Sequence, residues 1–91
     1  MAVEVRAVER GDEQAWCAMR TALWPEGSPA EHAAEAKRFL AGRASEPLAV
    51  LVAQAESGEL VGFVELSIRP HAEGCHTDRV AYLEGWFVAP A

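Results

Sequence analysis

The 91-residue chain lacks several features that mark particular classes of protein. No apolar run approaches the roughly 18 residues of a membrane-spanning helix, and the N-terminus lacks the basic and then apolar pattern of a secretory signal. Only eight lysines and arginines stand against fourteen acids, a net charge of −6. This balance argues against nucleic acid as a partner and favours a cationic ligand. We therefore expect a cytoplasmic protein without a membrane or nucleic-acid partner.

Cysteine is also scarce. Cys17 and Cys75 lie far apart and fit no paired metal-ligand spacing, so we expect reduced thiols. Several metal-binding residue types nevertheless crowd into one segment: His71, Glu73, Cys75, His76 and Asp78. One loop with a single cysteine rarely completes a tetrahedral zinc site, so we expect no metal.

The composition is that of one globular domain, with 51% hydrophobic and 24% charged residues. The alternation of Val3, Val5 and Ala7 predicts a half-buried first strand. Asp12 is expected to cap a first helix, whose apolar stripe runs from Trp16 to Leu23 and places Trp16 in the core.

A second helix is predicted from the segment Ser28-Pro29-Ala30-Glu31, which has a capping serine, a proline at the first helical position and a glutamate that completes a capping box. Gly42 suits the left-handed residue that ends such a helix. The buried face of this helix is expected to consist of Ala33, Ala36, Phe39 and Leu40.

The remaining apolar runs predict three strands. Residues 48–55 and 60–69 flank a turn and form an antiparallel hairpin, and residues 80–88 return after a polar connection over 70–79. The order strand, helix, helix, strand, strand, strand indicates an α/β (α+β) fold with a mixed, mostly antiparallel sheet and helices on one face.

Three segments resemble the N-terminal half of a GNAT-family N-acetyltransferase, and most closely the aminoglycoside 6'-N-acetyltransferases. They are Leu23-Trp24-Pro25, residues 62–69 and residues 82–90. The resemblance implies transfer of an acetyl group from acetyl-CoA to an amine of an aminoglycoside or other polyamine, and hence antibiotic resistance.

The site residues follow from this resemblance. Glu84 matches the acid of the fourth strand, which binds the amine and assists its deprotonation; the alternative is an ion pair with Arg69 or Arg79. Trp24 is expected to form a wall for the cationic sugar, unless it only packs in the core. His71 matches a position on the substrate side.

Cofactor binding is assigned to Trp86, Phe87 and Val88, whose backbone groups the resemblance pairs with the pantetheine arm. Their side chains are expected in the core. The family's phosphate loop and C-terminal half are not found in residues 1–91, so these are read as the N-terminal portion of one domain, inactive by itself. The open alternative is a non-catalytic fragment or interaction module that keeps a cation-binding half-site. An exposed edge of the fourth strand predicts a homodimer or pairing through that edge.

Overall fold

Four strands form one sheet, and two helices pack on one of its faces. The structure, a computed structural model, describes residues 2–44, 47, 49–69 and 80–90, with no side chains for residues 69 and 80–82. The elements are β1 (Val3–Ala7), α1 (Glu13–Leu23), α2 (Pro29–Leu40), β2 (Ala49–Ala55), β3 (Leu60–Arg69) and β4 (Val80–Val88). This order and architecture confirm the predicted fold class. None of the described helices has the length and apolarity needed to cross a membrane.

The strands follow one another across the sheet in the order β1-β2-β3-β4, and every described pair is antiparallel. The parallel component of the predicted mixed sheet is thus not found among the described strands. β4 pairs with β3 on one side only, so its other side is an edge of the described sheet. The tight turn between β2 and β3 depends on Gly58, whose φ of 93° lies in the left-handed region.

The start of α2 confirms the predicted capping box. The Ser28 side chain accepts a hydrogen bond from the Glu31 backbone N–H, and the Glu31 side chain accepts one from Ser28. This exchange lowers the pKa of Glu31, because its charged form is the acceptor. Gly42 follows the helix with φ of 74°, as expected of a left-handed residue.

Asp12 occupies the N-cap position of α1, as predicted, but its side chain does not cap the helix. A short 3-10 turn, Arg10–Asp12, precedes the helix, and the Asp12 side chain makes no cap hydrogen bond to α1. Its two oxygens instead accept hydrogen bonds from Arg6 at 2.7 and 2.9 Å. This bond to the Arg6 guanidinium lowers the pKa of Asp12. The carboxylate therefore joins the turn to β1 rather than starting the helix.

The hydrophobic core lies between the helices and the sheet. Its buried members are Trp16, Met19, Ala36, Val50, Val52 and Phe63. The prediction that β1 buries Val3 and Val5 was wrong, since these side chains are 49% and 64% exposed. Alternation predicts two unlike faces of a strand but not which one the helices cover. Arg6 of β1 reaches the start of α1 through its hydrogen bonds to Asp12.

Candidate active site

A β-bulge places Glu84. Glu65 of β3 lies opposite Gly85, whereas the next residue, Leu66, lies opposite Leu83, so Glu84 is the extra residue of β4. A bulge changes the direction in which a strand presents its side chains. Glu84 is half-buried and lines a cleft beneath the helices.

The cleft is small and predominantly acidic. Its volume is about 200 Å³, and its lining residues are Arg20, Glu35, Pro47, Glu65, Ser67 and Glu84. Among the lining residues that the structure describes, three carboxylates and one guanidinium leave a formal excess of two negative charges when all are ionised. An excess of negative charge on one surface attracts cations. The cleft is therefore suited to a cationic group.

Arg20 stands at the centre of the hydrogen bonds around the cleft. Its Nη1 donates to Glu65 Oε2 at 2.5 Å, and its Nη2 donates to Glu35 Oε2. Trp16 Nε1 donates to the same Glu65 oxygen at 3.1 Å. Arg20 is only 5% exposed and Glu65 only 3%. A buried carboxylate needs such partners, because the loss of hydration on burial is costly.

His32 connects this centre to the end of α1. Arg20 Nε donates to His32 Nδ1 at 3.3 Å, and His32 Nε2 lies 2.9 Å from the backbone oxygen of Trp24. An arginine nitrogen can only donate, so Nδ1 is the acceptor and Nε2 carries the proton. The imidazole thus donates to the residue that follows α1 and helps to fix the position of Trp24.

The Trp24 ring packs between the helical layer and β4. The Arg20 guanidinium lies 4.9 Å from its ring centroid, and Phe63 meets it edge-on at 6.2 Å. A Cβ atom placed on Gly85 would lie 2.7 Å from Trp24 Cη2, so the ring needs a glycine there. Trp24 therefore packs against core residues, as the alternative of a core tryptophan predicts, and it also lies against Gly85, the residue next to Glu84. Its role as a substrate wall stays a prediction.

The three residues predicted to bind the cofactor lie in β4, and two of their side chains depart from the prediction. Trp86 and Val88 are 65% and 67% exposed on the face of the sheet away from the helices, so their assignment to the core was wrong. Phe87 is partly buried against the core. The Ala89 N–H donates to Val61 O in β3 at 2.7 Å. Because alternate residues of an antiparallel strand bond to the same side, Trp86 and Val88 direct their N–H and C=O groups to the outer edge of β4.

Other sequence-based assignments fall outside the described residues. These are His71 and the remaining candidate ligands of its loop, as well as Arg79 and the side chain of Arg69, the alternative partners of Glu84. Within the described part of the chain, no three His, Cys, Asp or Glu residues are grouped so that they could hold a metal ion. Cys17 is a free thiol whose pKa is raised by burial.

Sequence reasoning missed His32, which bonds to Arg20, and the polar residues that line the cleft with Glu84: Arg20, Glu35, Glu65 and Ser67. Two features of the sequence could have indicated two of these residues, Arg20 and Glu65. Arg20 follows Trp16 by four residues and so lies on the apolar stripe of α1. Glu65 shares a strand face with Phe63, two residues away. An arginine and a glutamate on two buried faces indicate a buried ion pair.

Comparison with known proteins agrees with this architecture. Residues 14–91 match the model of the Acetyltransferase (GNAT) family. The chain therefore belongs to the GNAT acetyltransferase family, as the sequence resemblance predicted.

Individual proteins that resemble the chain share the name aminoglycoside N(6')-acetyltransferase type 1. The aminoglycoside N(6')-acetyltransferase type 1 of Klebsiella aerogenes is 52% identical over 87 residues, which are 96% of this chain and 57% of that protein. The enzyme of the same name from Serratia marcescens is 42% identical over 76 residues, which are 82% of this chain and 50% of that protein. The chain thus spans between half and three-fifths of the length of these relatives.

A solved structure of aminoglycoside N-acetyltransferase AAC(6')-Iy in complex with CoA superposes with a TM-score of 0.84 at 31% identity, covering 98% of this chain and 57% of that one. AAC(6')-Iy in complex with the bisubstrate analogue CoA-S-monomethyl-acetylneamine gives 0.83 at 31% identity, covering 99% and 59%. The described sheet and helices therefore have the fold of the matched portion, somewhat more than half, of these enzymes.

Proposed function

We propose that this chain forms the amine-binding side of an acetyl-CoA-dependent aminoglycoside 6'-N-acetyltransferase. The observation that carries the proposal is the position of Glu84, which a β-bulge places in an acidic cleft beside Trp24 and Gly85. The identity to relatives named as 6'-acetyltransferases supports the choice of substrate.

The chemistry requires the removal of a proton. An alkylammonium group is not a nucleophile, so its nitrogen must lose a proton before it forms a bond to the acetyl carbon and the bond from that carbon to sulfur breaks. In our proposal Glu84 first accepts a hydrogen bond from the ammonium and then takes the proton, directly or through one water. As the bond from carbon to sulfur breaks, the nitrogen loses a second proton and the sulfur takes up a proton, so the coenzyme leaves as its thiol. Arg20 and Trp24 hold the surrounding walls in place through the contacts described above.

The co-substrate is proposed to lie along the outer edge of β4. There the backbone groups of Trp86 and Val88 can pair with the amides of the pantetheine arm, and a backbone N–H can stabilise the developing oxyanion. AAC(6')-Iy, which shares this fold, was solved in complex with CoA. The role of His71 at the sugar and the reading of residues 1–91 as the N-terminal portion of a longer domain stay predictions, as does a cytoplasmic location with access to acetyl-CoA.

The direct test is acetyl transfer by the polypeptide expressed from its natural gene. Neamine carries a 6'-amine, and its analogue with a 6'-hydroxyl is otherwise matched. We expect coenzyme A thiol to be released with neamine, the product to carry one acetyl group at the 6' nitrogen by NMR, and the analogue to be inert. Acetylation at another nitrogen, or equal turnover of the two compounds, would contradict the assignment.

A second candidate is a non-catalytic module that binds cations and pairs through β4. The exposed side chains of Trp86 and Val88 and the outer edge of β4 favour it. Calorimetric titration separates the two functions. An acetyltransferase binds both acetyl-CoA and neamine, whereas the module binds the polyamine without the coenzyme and sediments as a homodimer.

A further inference from the structure

A buried hydroxyl group in the cleft makes no hydrogen bond within the described part of the protein. Ser67 is 1% exposed, and its Oγ has no partner among the described residues. Buried polar groups in native proteins are nearly always paired, so an exception needs an explanation. Ser67 also lines the cleft that contains Glu84. A polar group within the cleft is therefore the expected partner of this hydroxyl.

The distance between Ser67 and Glu84 suits a sugar ring. Ser67 of β3 lies opposite Tyr82, two positions before Glu84 along β4. Two residues of a strand span roughly 7 Å and neighbouring strands lie roughly 5 Å apart, so the Cα atoms of Ser67 and Glu84 are separated by about 8 Å. A pyranose ring with its substituents covers a similar distance. A sugar whose amine lies at Glu84 can thus place a second polar substituent at Ser67.

Glu35 adds a negative charge to the same cleft. Its side chain is 53% exposed, and its Oε2 accepts a hydrogen bond from Arg20. A carboxylate offers about four acceptor positions, so the bond from Arg20 leaves capacity for a ligand. Because Glu35 is exposed where Ser67 is buried, the two residues mark the outer and inner ends of one polar surface.

We propose that Ser67 and Glu35 form a second subsite, which binds a hydroxyl or ammonium group of the sugar whose reacting amine lies at Glu84. The proposal rests on the proposed function and adds a specificity site to it. Ser67 contributes a hydroxyl that can accept or donate, and Glu35 contributes a charged acceptor. The preferred ligand is a polyhydroxylated polyamine rather than a simple alkylamine.

The test is calorimetric titration of the natural gene product with neamine, comparing wild type with Ser67→Ala and Glu35→Gln at fixed ionic strength. We expect Ser67→Ala to raise the Kd for neamine by about threefold to tenfold. The same variant should unfold at an equal or higher urea concentration, because it removes an unpaired buried hydroxyl. A serine with a structural role alone would show the opposite pattern. The Kd for a simple diamine, which has no hydroxyl, should change less.

Glu35→Gln should also raise the Kd and reduce its dependence on salt, since one charge is lost. Glu59→Gln, an exposed acid in the turn between β2 and β3, is the matched control and should change neither quantity. An unchanged Kd in Ser67→Ala, or no measurable binding of neamine by the wild type, would overturn the subsite. Acetyl transfer to neamine is measured separately. If the wild type does not acetylate neamine but Ser67→Ala still raises the Kd, only the proposed reaction is overturned. If the wild type acetylates neamine but Ser67→Ala leaves the Kd unchanged, only the subsite is overturned.

Discussion

Replacing Arg20 with methionine should strongly destabilise the protein. The substitution keeps an unbranched side chain in α1 but removes the guanidinium from the 3% exposed Glu65. Glu65 Oε2 would then retain only the hydrogen bond from Trp16 among those described. Breaking one side of a buried ion pair costs about 3 to 5 kcal/mol. Native domains have a total stability of only about 5 to 15 kcal/mol, so the loss is a large fraction of the whole.

Removing both charges should cost less than removing one. In Arg20→Met with Glu65→Leu, no buried carboxylate is left unpaired, and similar apolar replacements are often neutral. We expect the two changes to be coupled by about 2 kcal/mol or more. Urea unfolding followed by tryptophan fluorescence and circular dichroism measures all four members of the cycle. A loss below about 1 kcal/mol for Arg20→Met, or strict additivity in the double variant, would refute the central role of this ion pair.

Three further changes test other parts of the structure. Gly85→Ala places a methyl group 2.7 Å from Trp24 Cη2. The ring should therefore shift, the near-UV circular dichroism should change, and the free energy of unfolding should fall by about 1 to 3 kcal/mol. An unchanged spectrum would contradict this contact. Because Arg6 lowers the pKa of Asp12, the carboxylate stabilises the fold fully above pH about 4, and this contribution declines as the pH falls below that value. In Asp12→Asn, the urea midpoint of unfolding should therefore depend less on pH below about 4 than it does in the wild type. The same pH dependence in both proteins would contradict the ion pair between Arg6 and Asp12. Ser28→Ala should lower the free energy of unfolding in urea by about 0.5 to 2 kcal/mol, whereas Ser28→Asp should retain the helix cap. Equal stabilities of Ser28→Ala and the wild type would contradict a stabilising cap at Ser28.

Local signals were sufficient for much of the fold. The bounds of β3 and β4 follow from apolar runs between turn residues, and α2 follows from its capping box. The residue that precedes α1 was predicted correctly, but its side-chain cap was not, because the Asp12 carboxylate bonds to β1 instead of to the helix. That choice depends on a tertiary contact, which no local pattern contains.

The site was only partly accessible from sequence. The resemblance gave Glu84 and Trp24 as candidates, but the bulge that directs Glu84 into the cleft exists only in the register between β3 and β4. The hydrogen bonds around Arg20 join α1, α2 and β3, so no single segment predicts them. The exposure of Trp86 and Val88 was missed because an apolar strand does not indicate which of its faces is covered.

The role of Glu84 is tested most directly by the kcat of Glu84→Gln for acetyl transfer to neamine, measured in the natural gene product with Glu59→Gln as control. Glutamine has nearly the same shape but cannot accept the proton. We predict that kcat falls by about 100-fold or more while the urea midpoint changes little and the control matches the wild type. A kcat within about twofold of the wild type would show that Glu84 does not handle the proton of the amine.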